Sequence, residues 1–144
     1  IYNTGTINNT NSGVGCNGIF GGNNPDMLEV DVIGNIIYDV YENGIEGKFK
    51  TVKDNLIKNT GIKTDTHPTP SIEGIWCNGE NYINNTIINP KGVGLRIIST
   101  SDGISNKTIK GNRIIKGVNT SSENGIELNA NNQYKSNYFF HYKF

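Results

Sequence analysis

The sequence predicts an all-β fold in which short parallel strands stack into a solenoid of about five to six coils. Two observations lead to this prediction: a composition that disfavours helices, and two short motifs that alternate along the chain. We expect one domain over residues 1–144 that forms a segment of a longer protein.

The composition favours strands and turns and excludes several functions. The 144 residues include 24 Asn, 18 Gly and 21 Ile, but one Ala and four Leu. β-Branched Ile favours strands, Asn and Gly favour turns, and good helix formers are scarce. Lys plus Arg number 13, as do Asp plus Glu, so the net charge of zero argues against a nucleic-acid partner. No apolar run approaches the ~18–20 residues of a membrane span, so we expect no membrane partner.

The first motif reads apolar residue, two variable residues, Asn, one variable residue, Ile or Phe. Its successive Asn residues are separated by 20, 30, 27 and 25 residues, which fits short coils with loops inserted at turns. Stacked coils would place Asn at a bend, because Asn tolerates left-handed backbone angles and stacked amides hydrogen-bond to each other. We interpret these Asn residues as structural. The predicted columns are Val32, Val52, Tyr82, Ile109 and Tyr134 (inward), Asn35, Asn55, Asn85, Asn112 and Asn137 (bend), and Ile37, Ile57, Ile87, Ile114 and Phe139 (inward).

The second motif is Gly followed by Ile or Leu, and it begins a strand in each repeat. Side chains alternate between the two faces of a strand, so every second residue points inward. The predicted inward columns are Ile19, Ile45, Ile75, Leu95 and Ile126, and then Gly21, Gly47, Cys77, Ile97 and Leu128. The outward residues between them are Phe20, Glu46, Trp76, Arg96 and Glu127, followed by Gly22, Lys48, Asn78, Ile98 and Asn129.

The alternation of these motifs resembles the right-handed parallel β-helix of the pectate-lyase-like superfamily, over essentially the whole chain. That superfamily includes polysaccharide lyases, glycoside hydrolases, alginate epimerases and phage tailspikes. The resemblance implies a polysaccharide partner and a location outside the cell or on a virion surface. The Gly-His-Gly element of polygalacturonases is absent from the sequence.

The column around Trp76 is the predicted binding site, because aromatic faces stack on sugar rings while Arg and carboxylates bond hydroxyl or acidic groups. Trp76 would lie one rung, about 5 Å, from both Glu46 and Arg96. A loop over residues 62–72 precedes the Trp76 strand, and a second over 99–106 follows the Arg96 strand; both would wall a groove. The predicted substrate-binding residues are Trp76, Phe20, Lys48, Asn78, Glu127 and His67. His67 on its own also fits an exposed polar turn, and Trp76 also fits a contact with a neighbouring subunit or with a further part of a longer chain.

The predicted catalytic residues are Glu46, Arg96 and Asp65. A hydrolase needs two carboxyl groups roughly 5–5.5 Å or 6.5–9.5 Å apart. Glu46 could form such a pair with Asp65 or Glu73, but not with Glu127, which would lie about 14 Å away. Glu73 replaces the Asn of three equivalent positions, so it is either a bend residue or an acid beside the groove. In the resembling lyases an Arg or Lys abstracts the proton and Ca²⁺ neutralises the uronate, which by position implies Arg96 and Lys48. Both mechanisms stay open.

Two further readings of the chain stay open at this point. One is a non-catalytic structural or receptor-binding β-helix, as a homotrimer or joined to the remainder of a larger chain, and the other is a sugar epimerase. Cys16 and Cys77 would lie roughly 10 Å apart along the axis, beyond disulfide reach, so we predict free thiols with Cys77 packed inside. We expect the aromatic tail over residues 134–144 to cap the last coil or to pack on a neighbouring chain.

Overall fold

The computed structural model describes residues 17–21, 30–62, 72–98, 106–115, 125–128 and 133–134. These residues form an all-β structure in which every strand pairing is parallel. None of the described segments forms a helix that could cross a membrane. The strands are β1 (Ile19–Phe20), β2 (Asp31–Ile33), β3 (Ile36–Val40), β4 (Ile45–Lys53), β5 (Leu56–Thr60), β6 (Ile75–Ile83), β7 (Thr86–Ile88), β8 (Leu95–Ile97), β9 (Asn106–Lys110), β10 (Arg113–Ile115), β11 (Ile126–Leu128) and β12 (Gln133–Tyr134).

The strands form two parallel sheets. In the first, the order is β1-β4-β6-β8-β11, while β2 pairs with the C-terminal half of β4, β9 with that of β6, and β12 with β9. In the second sheet the order is β3-β5-β7-β10. Each strand therefore lies beside its counterpart from the next repeat of the sequence, as the recurrence of the motifs predicts.

The register confirms the inward columns of the first motif over most of their length. Equivalent residues face each other from repeat to repeat, and all of those described are buried. They are Val32, Val52, Tyr82 and Ile109 in one column, and Ile37, Ile57, Ile87 and Ile114 in the other. The residues predicted to extend these columns and the bend, Phe139 and Asn137, lie outside the described residues.

The last position of the first column was predicted wrongly. Tyr134 lies opposite Lys107, two residues before the predicted partner Ile109. A slip of two residues keeps every side chain on the same face of its strand, so the apolar pattern does not distinguish the two registers.

The second motif supplies the other half of the core. Ile45, Ile75 and Leu95 are fully buried, with Ile19 and Ile126 packed against them at the two ends. Each such side chain contributes about 1.5–3 kcal/mol when fully buried. Because neighbouring repeats share these columns, the core is continuous across the described repeats.

The Asn of the first motif forms a hydrogen-bonded ladder at the bend. The side-chain Nδ2 atoms of Asn35, Asn55 and Asn85 donate to the Oδ1 atoms of the next Asn at 3.0, 2.9 and 2.9 Å, ending at Asn112. Each of these Oδ1 atoms also accepts a backbone N–H from the Asn one repeat earlier. The structural interpretation of these four residues is confirmed.

The left-handed backbone lies one residue earlier than predicted. Positive φ angles occur at Gly34 (68°), Asp54 (54°), Asn84 (53°) and Gly111 (65°), directly before each ladder Asn. The bend needs one residue in this conformation, which Gly, Asn and Asp adopt most readily. The ladder Asn instead contributes the hydrogen bonds of its side-chain amide. The amide also bonds a backbone carbonyl of a neighbouring repeat: Asn55 Nδ2 donates to Val32 O at 2.9 Å.

A further ladder was not predicted from the sequence. Asp39, Asn59 and Asn89 have positive φ angles of 55°, 53° and 53° and stack across three repeats. Asn59 Nδ2 donates to Asp39 Oδ1 at 2.6 Å, and Asn89 Nδ2 donates to Asn59 Oδ1 at 3.0 Å. Their spacing of 20 and 30 residues equals that of the first three Asn of the main ladder, and this repeat of turn-forming residues could have revealed them.

The Gly of the second motif is required by close contact between successive repeats. A Cβ atom on Gly44 would lie 2.5 Å from the carbonyl oxygen of Gly74 and 2.5 Å from Ile57 Cγ2. A Cβ atom on Gly74 would lie 2.5 Å from the carbonyl oxygen of Gly94. All three distances are too short for non-bonded atoms, so the backbones stack this closely only because these residues lack side chains.

Candidate functional site

The predicted outward column is assembled by the register of the first sheet. Phe20 pairs with Glu46, Glu46 with Trp76, Trp76 with Arg96, and Arg96 with Glu127. Neighbouring parallel strands lie about 4.8 Å apart, so these five residues follow one another at that spacing. Phe20 is 63% exposed, while Glu46, Trp76 and Arg96 are half-buried. Trp76 therefore lies between Glu46 and Arg96, as the sequence predicted.

Glu73 joins this column through an ion pair with Arg96. Glu73 lies at the corner three residues before Trp76, and its Oε1 is 2.7 Å from Arg96 Nη1. The Glu73 side chain is 4% exposed and that of Arg96 27%, so the carboxylate is covered while part of the guanidinium side chain reaches solvent. Glu73 therefore occupies the bend position and bonds Arg96 of the column, while its role as an acid beside a groove stays a prediction.

The corner at Glu73 follows the same hydrogen-bonding pattern as the Asn residues of earlier repeats. Asn43 N–H donates to Asn17 Oδ1 at 3.0 Å, and Glu73 N–H donates to Asn43 Oδ1 at 2.8 Å. The longer Glu73 side chain accepts the N–H of Ile72 at 2.8 Å with its other carboxylate oxygen. Each carboxylate oxygen of Glu73 therefore has a described partner, which fixes the orientation of the group that holds Arg96.

Asn43 also orients Glu46. Its Nδ2 donates to Glu46 Oε2 at 2.7 Å, while its Oδ1 accepts the N–H of Glu73. A continuous network thus runs from Glu46 through Asn43 and Glu73 to Arg96. Asn43 was not predicted to be a site residue. It lies three residues before Glu46, as Glu73 lies three residues before Trp76, and this repeated spacing could have indicated it.

Lys48 and Asn78 are not on the exposed face where the sequence placed them. Their backbones pair with each other in register, but the residues are only 7% and 5% exposed. Three successive residues are buried in each strand at this point, 47–49 in β4 and 77–79 in β6, so the alternation of exposed and buried residues is interrupted here. Asn78 contacts Lys107, whose Nζ donates to Asn78 Oδ1 at 3.0 Å and to the Gly79 carbonyl at 2.6 Å.

Lys107 is a buried cation that the sequence analysis missed. It is 2% exposed, and burial lowers its pKa, against the opposing effects of Glu80 and Cys77. The burial of Lys107 could have been predicted from its place two residues before the buried Ile109, because alternate residues of a strand share one face.

The lowered pKa of Lys107 predicts a stability that depends on pH. Between the lowered folded pKa and the ordinary value near ~10.5, the unfolded chain binds more protons than the folded one, so this group makes stability rise with pH. The quantity to follow is the free energy of unfolding of the wild type minus that of Lys107→Met. We expect this difference to rise with pH until the ordinary lysine pKa is reached, by at most about 1.4 kcal/mol per pH unit. Urea unfolding of both proteins from neutral to alkaline pH measures it. A difference that is flat or falls with pH would contradict the burial of a charged ammonium group.

Cys77 packs inside, as predicted. It is a free, fully buried cysteine whose Sγ lies 3.6 Å from the carbonyl oxygen of Ile45. Burial raises the thiol pKa far above its usual range, with Glu46 adding to the shift. Thiolate chemistry is therefore disfavoured at this residue. Cys16 lies outside the described residues.

The loops predicted to wall the groove fall largely outside the described part of the chain. That part omits Asp65 and His67, so their predicted roles stay predictions. Glu127 lies beside Arg96 in register, and its role in binding also stays a prediction. Among the described residues no group of three or more His, Cys, Asp and Glu side chains could hold a metal ion.

Comparisons with known proteins identify no family for this chain. No protein-family model, curated protein or solved structure matches the chain. The chemistry available at the site follows from its own groups. The described column offers aromatic faces at Phe20 and Trp76, an oriented carboxylate at Glu46, and a guanidinium at Arg96 that is already ion-paired.

Proposed function

We propose that this chain is part of a right-handed parallel β-helix that binds an extracellular polysaccharide along the column from Phe20 to Glu127. The observation that carries the proposal is the placement of Trp76 between Glu46 and Arg96 on three adjacent parallel strands. Ring faces and hydrogen-bonding groups at a regular spacing suit a polymer whose sugar units repeat along the same direction.

The β-helix part of the proposal is supported by the parallel pairing of both sheets. In each sheet a strand lies beside its counterpart from the next repeat, and the Asn ladder bonds the bends of four successive repeats. Stacked coils require this arrangement, since each coil buries its apolar side chains only against its neighbours.

We extend the proposal to cleavage, with Glu46 as the acid or base. The hydrogen bond from Asn43 fixes its carboxylate beside Trp76, where a bound sugar would lie. Asp65 is the proposed partner carboxyl. Arg96 is proposed as a substrate contact and not as a base, because Glu73 already uses it in an ion pair.

The test is a screen of neutral and acidic capsular and plant polysaccharides for binding and for cleavage. We expect Trp76→Ala to weaken binding about tenfold or more, because it removes the stacking face. Tyr38→Ala is the matched control, since Tyr38 is an exposed aromatic residue of the second sheet and its loss should leave binding unchanged. Assays for reducing ends and for unsaturated sugars then detect cleavage, which Glu46→Gln should abolish while binding persists. Binding unaffected by Trp76→Ala would refute the site.

An apolar strip on the other side of the molecule favours a second candidate, a non-catalytic shaft formed with further copies of this chain. Ile36, Tyr38 and Leu56 of the second sheet are exposed there. They also line a depression of about 240 Å³ on β3 and β5. Exposed apolar patches of this kind mark contact surfaces. A trimer in sedimentation equilibrium, together with no polysaccharide binding, would favour this candidate over the first.

A further inference from the structure

We infer that the polysaccharide bound at the Trp76 column is uncharged. This inference rests on the proposed function and concerns the kind of sugar that the column accepts. It follows from the charges that the structure places around Trp76, and above all from the ion pair of Arg96 and the burial of Lys48, the two cations that the sequence assigned to this face.

Neither cation is positioned to neutralise an acidic sugar. The guanidinium of Arg96 is ion-paired with the buried carboxylate of Glu73 at 2.7 Å. Lys48 is 7% exposed, so little of its side chain can reach a sugar at the column. A uronate carboxylate at the column would meet a guanidinium whose charge Glu73 already balances, and Glu73 is held in place by the N–H of Ile72.

The remaining charge beside Trp76 repels anions. Glu46 lies on the strand next to Trp76, and its carboxylate is oriented by Asn43 at 2.7 Å. Like charges at close range disfavour binding, especially where protein surface displaces water. The same carboxylate is a strong acceptor for the hydroxyl groups of a neutral sugar.

The column therefore combines a stacking face with hydrogen-bond acceptors, which fits a neutral glycan rich in hydroxyl donors. This conclusion also bears on the reaction. Elimination by a lyase requires a carboxylate next to the proton that is removed, and a neutral polymer has none, so cleavage at this site would be hydrolysis.

The experiment compares each polysaccharide that binds in a Trp76-dependent manner with its charge-altered form. A neutral polymer is paired with its C6-oxidised derivative, and an acidic polymer with its carboxyl-reduced derivative, so that the two members of a pair share their linkages and differ in a hydroxymethyl or carboxylate group at C6. We expect the neutral member to bind about tenfold more tightly in wild type. Tighter binding of the acidic member would overturn the inference while leaving the proposed function intact. If no polymer binds in a Trp76-dependent manner, both fail.

Glu73→Gln tests the cause of the preference. Gln retains an acceptor for the N–H of Ile72 but removes the charge that pairs with Arg96. We expect the preference for the neutral member to shrink at least about threefold, because the guanidinium then attracts the acidic polymer. The double variant Glu73→Gln/Arg96→Gln removes both charges and should restore the preference of the wild type. An unchanged preference in Glu73→Gln would show that the ion pair does not set it, and if that variant fails to fold, the wild-type comparison alone decides.

Discussion

Replacing Asn85 by Ala should destabilise the protein by about 3–5 kcal/mol, because it breaks the ladder where it is fully buried. The Nδ2 of Asn85 donates to the Val52 carbonyl at 2.8 Å and to Asn112 Oδ1 at 2.9 Å. Its Oδ1 accepts the backbone N–H and the side-chain Nδ2 of Asn55 at 3.1 and 2.9 Å. Alanine removes all four bonds at once, and buried polar groups left without a partner are costly.

Asn35→Ala is the matched control for Asn85→Ala. Asn35 is the same residue type in the same ladder, but it is half-buried and lies at the end of the described ladder. Water can replace the bonds that its Nδ2 makes to Asn55 Oδ1 and the Ile33 carbonyl. We expect a loss below about 1 kcal/mol for this control. Urea unfolding followed by circular dichroism measures both, and equal losses would show that the ladder's buried bonds contribute little.

Gly44→Ala should cost about 3 kcal/mol or more, because the added methyl group has no space. Its Cβ would lie 2.5 Å from the Gly74 carbonyl oxygen, so the two backbones would have to separate. Separation would lengthen the adjacent hydrogen bonds from Gly44 N to Glu73 O and from Ile45 N to Gly74 O, both 3.1 Å. We therefore expect faster amide hydrogen exchange at Gly44 and Ile45 as well as a lower unfolding midpoint.

Gly34→Asn is the control for Gly44→Ala. Gly34 has a φ of 68°, and a Cβ placed there meets no atom within 4 Å. The equivalent positions of the next two repeats hold Asp54 and Asn84 in the same left-handed conformation. The substitution should therefore change stability by no more than about 0.5 kcal/mol. If Gly44→Ala proved as mild as this control, the second motif would not be explained by close contact between repeats.

The sequence alone predicted much of the core and of the column. Strand alternation and the recurrence of two motifs fix which residues point inward and which repeats are equivalent, and both can be read without coordinates. This is why the columns through Ile37 and Ile45, the Asn ladder, and the order Phe20, Glu46, Trp76, Arg96, Glu127 were predicted correctly.

Only the tertiary structure decided what surrounds each side chain once its direction is known. Arg96 forms an ion pair with Glu73 of the preceding repeat, and Lys107 donates a hydrogen bond to Asn78 of the preceding repeat. The two-residue slip at Tyr134, which pairs with Lys107, likewise concerns the register between two strands and leaves the apolar pattern of each strand unchanged. Periodicity is a property of one strand. Ion pairing, burial of polar side chains and the register between strands depend on residues that come into contact only when the chain has folded.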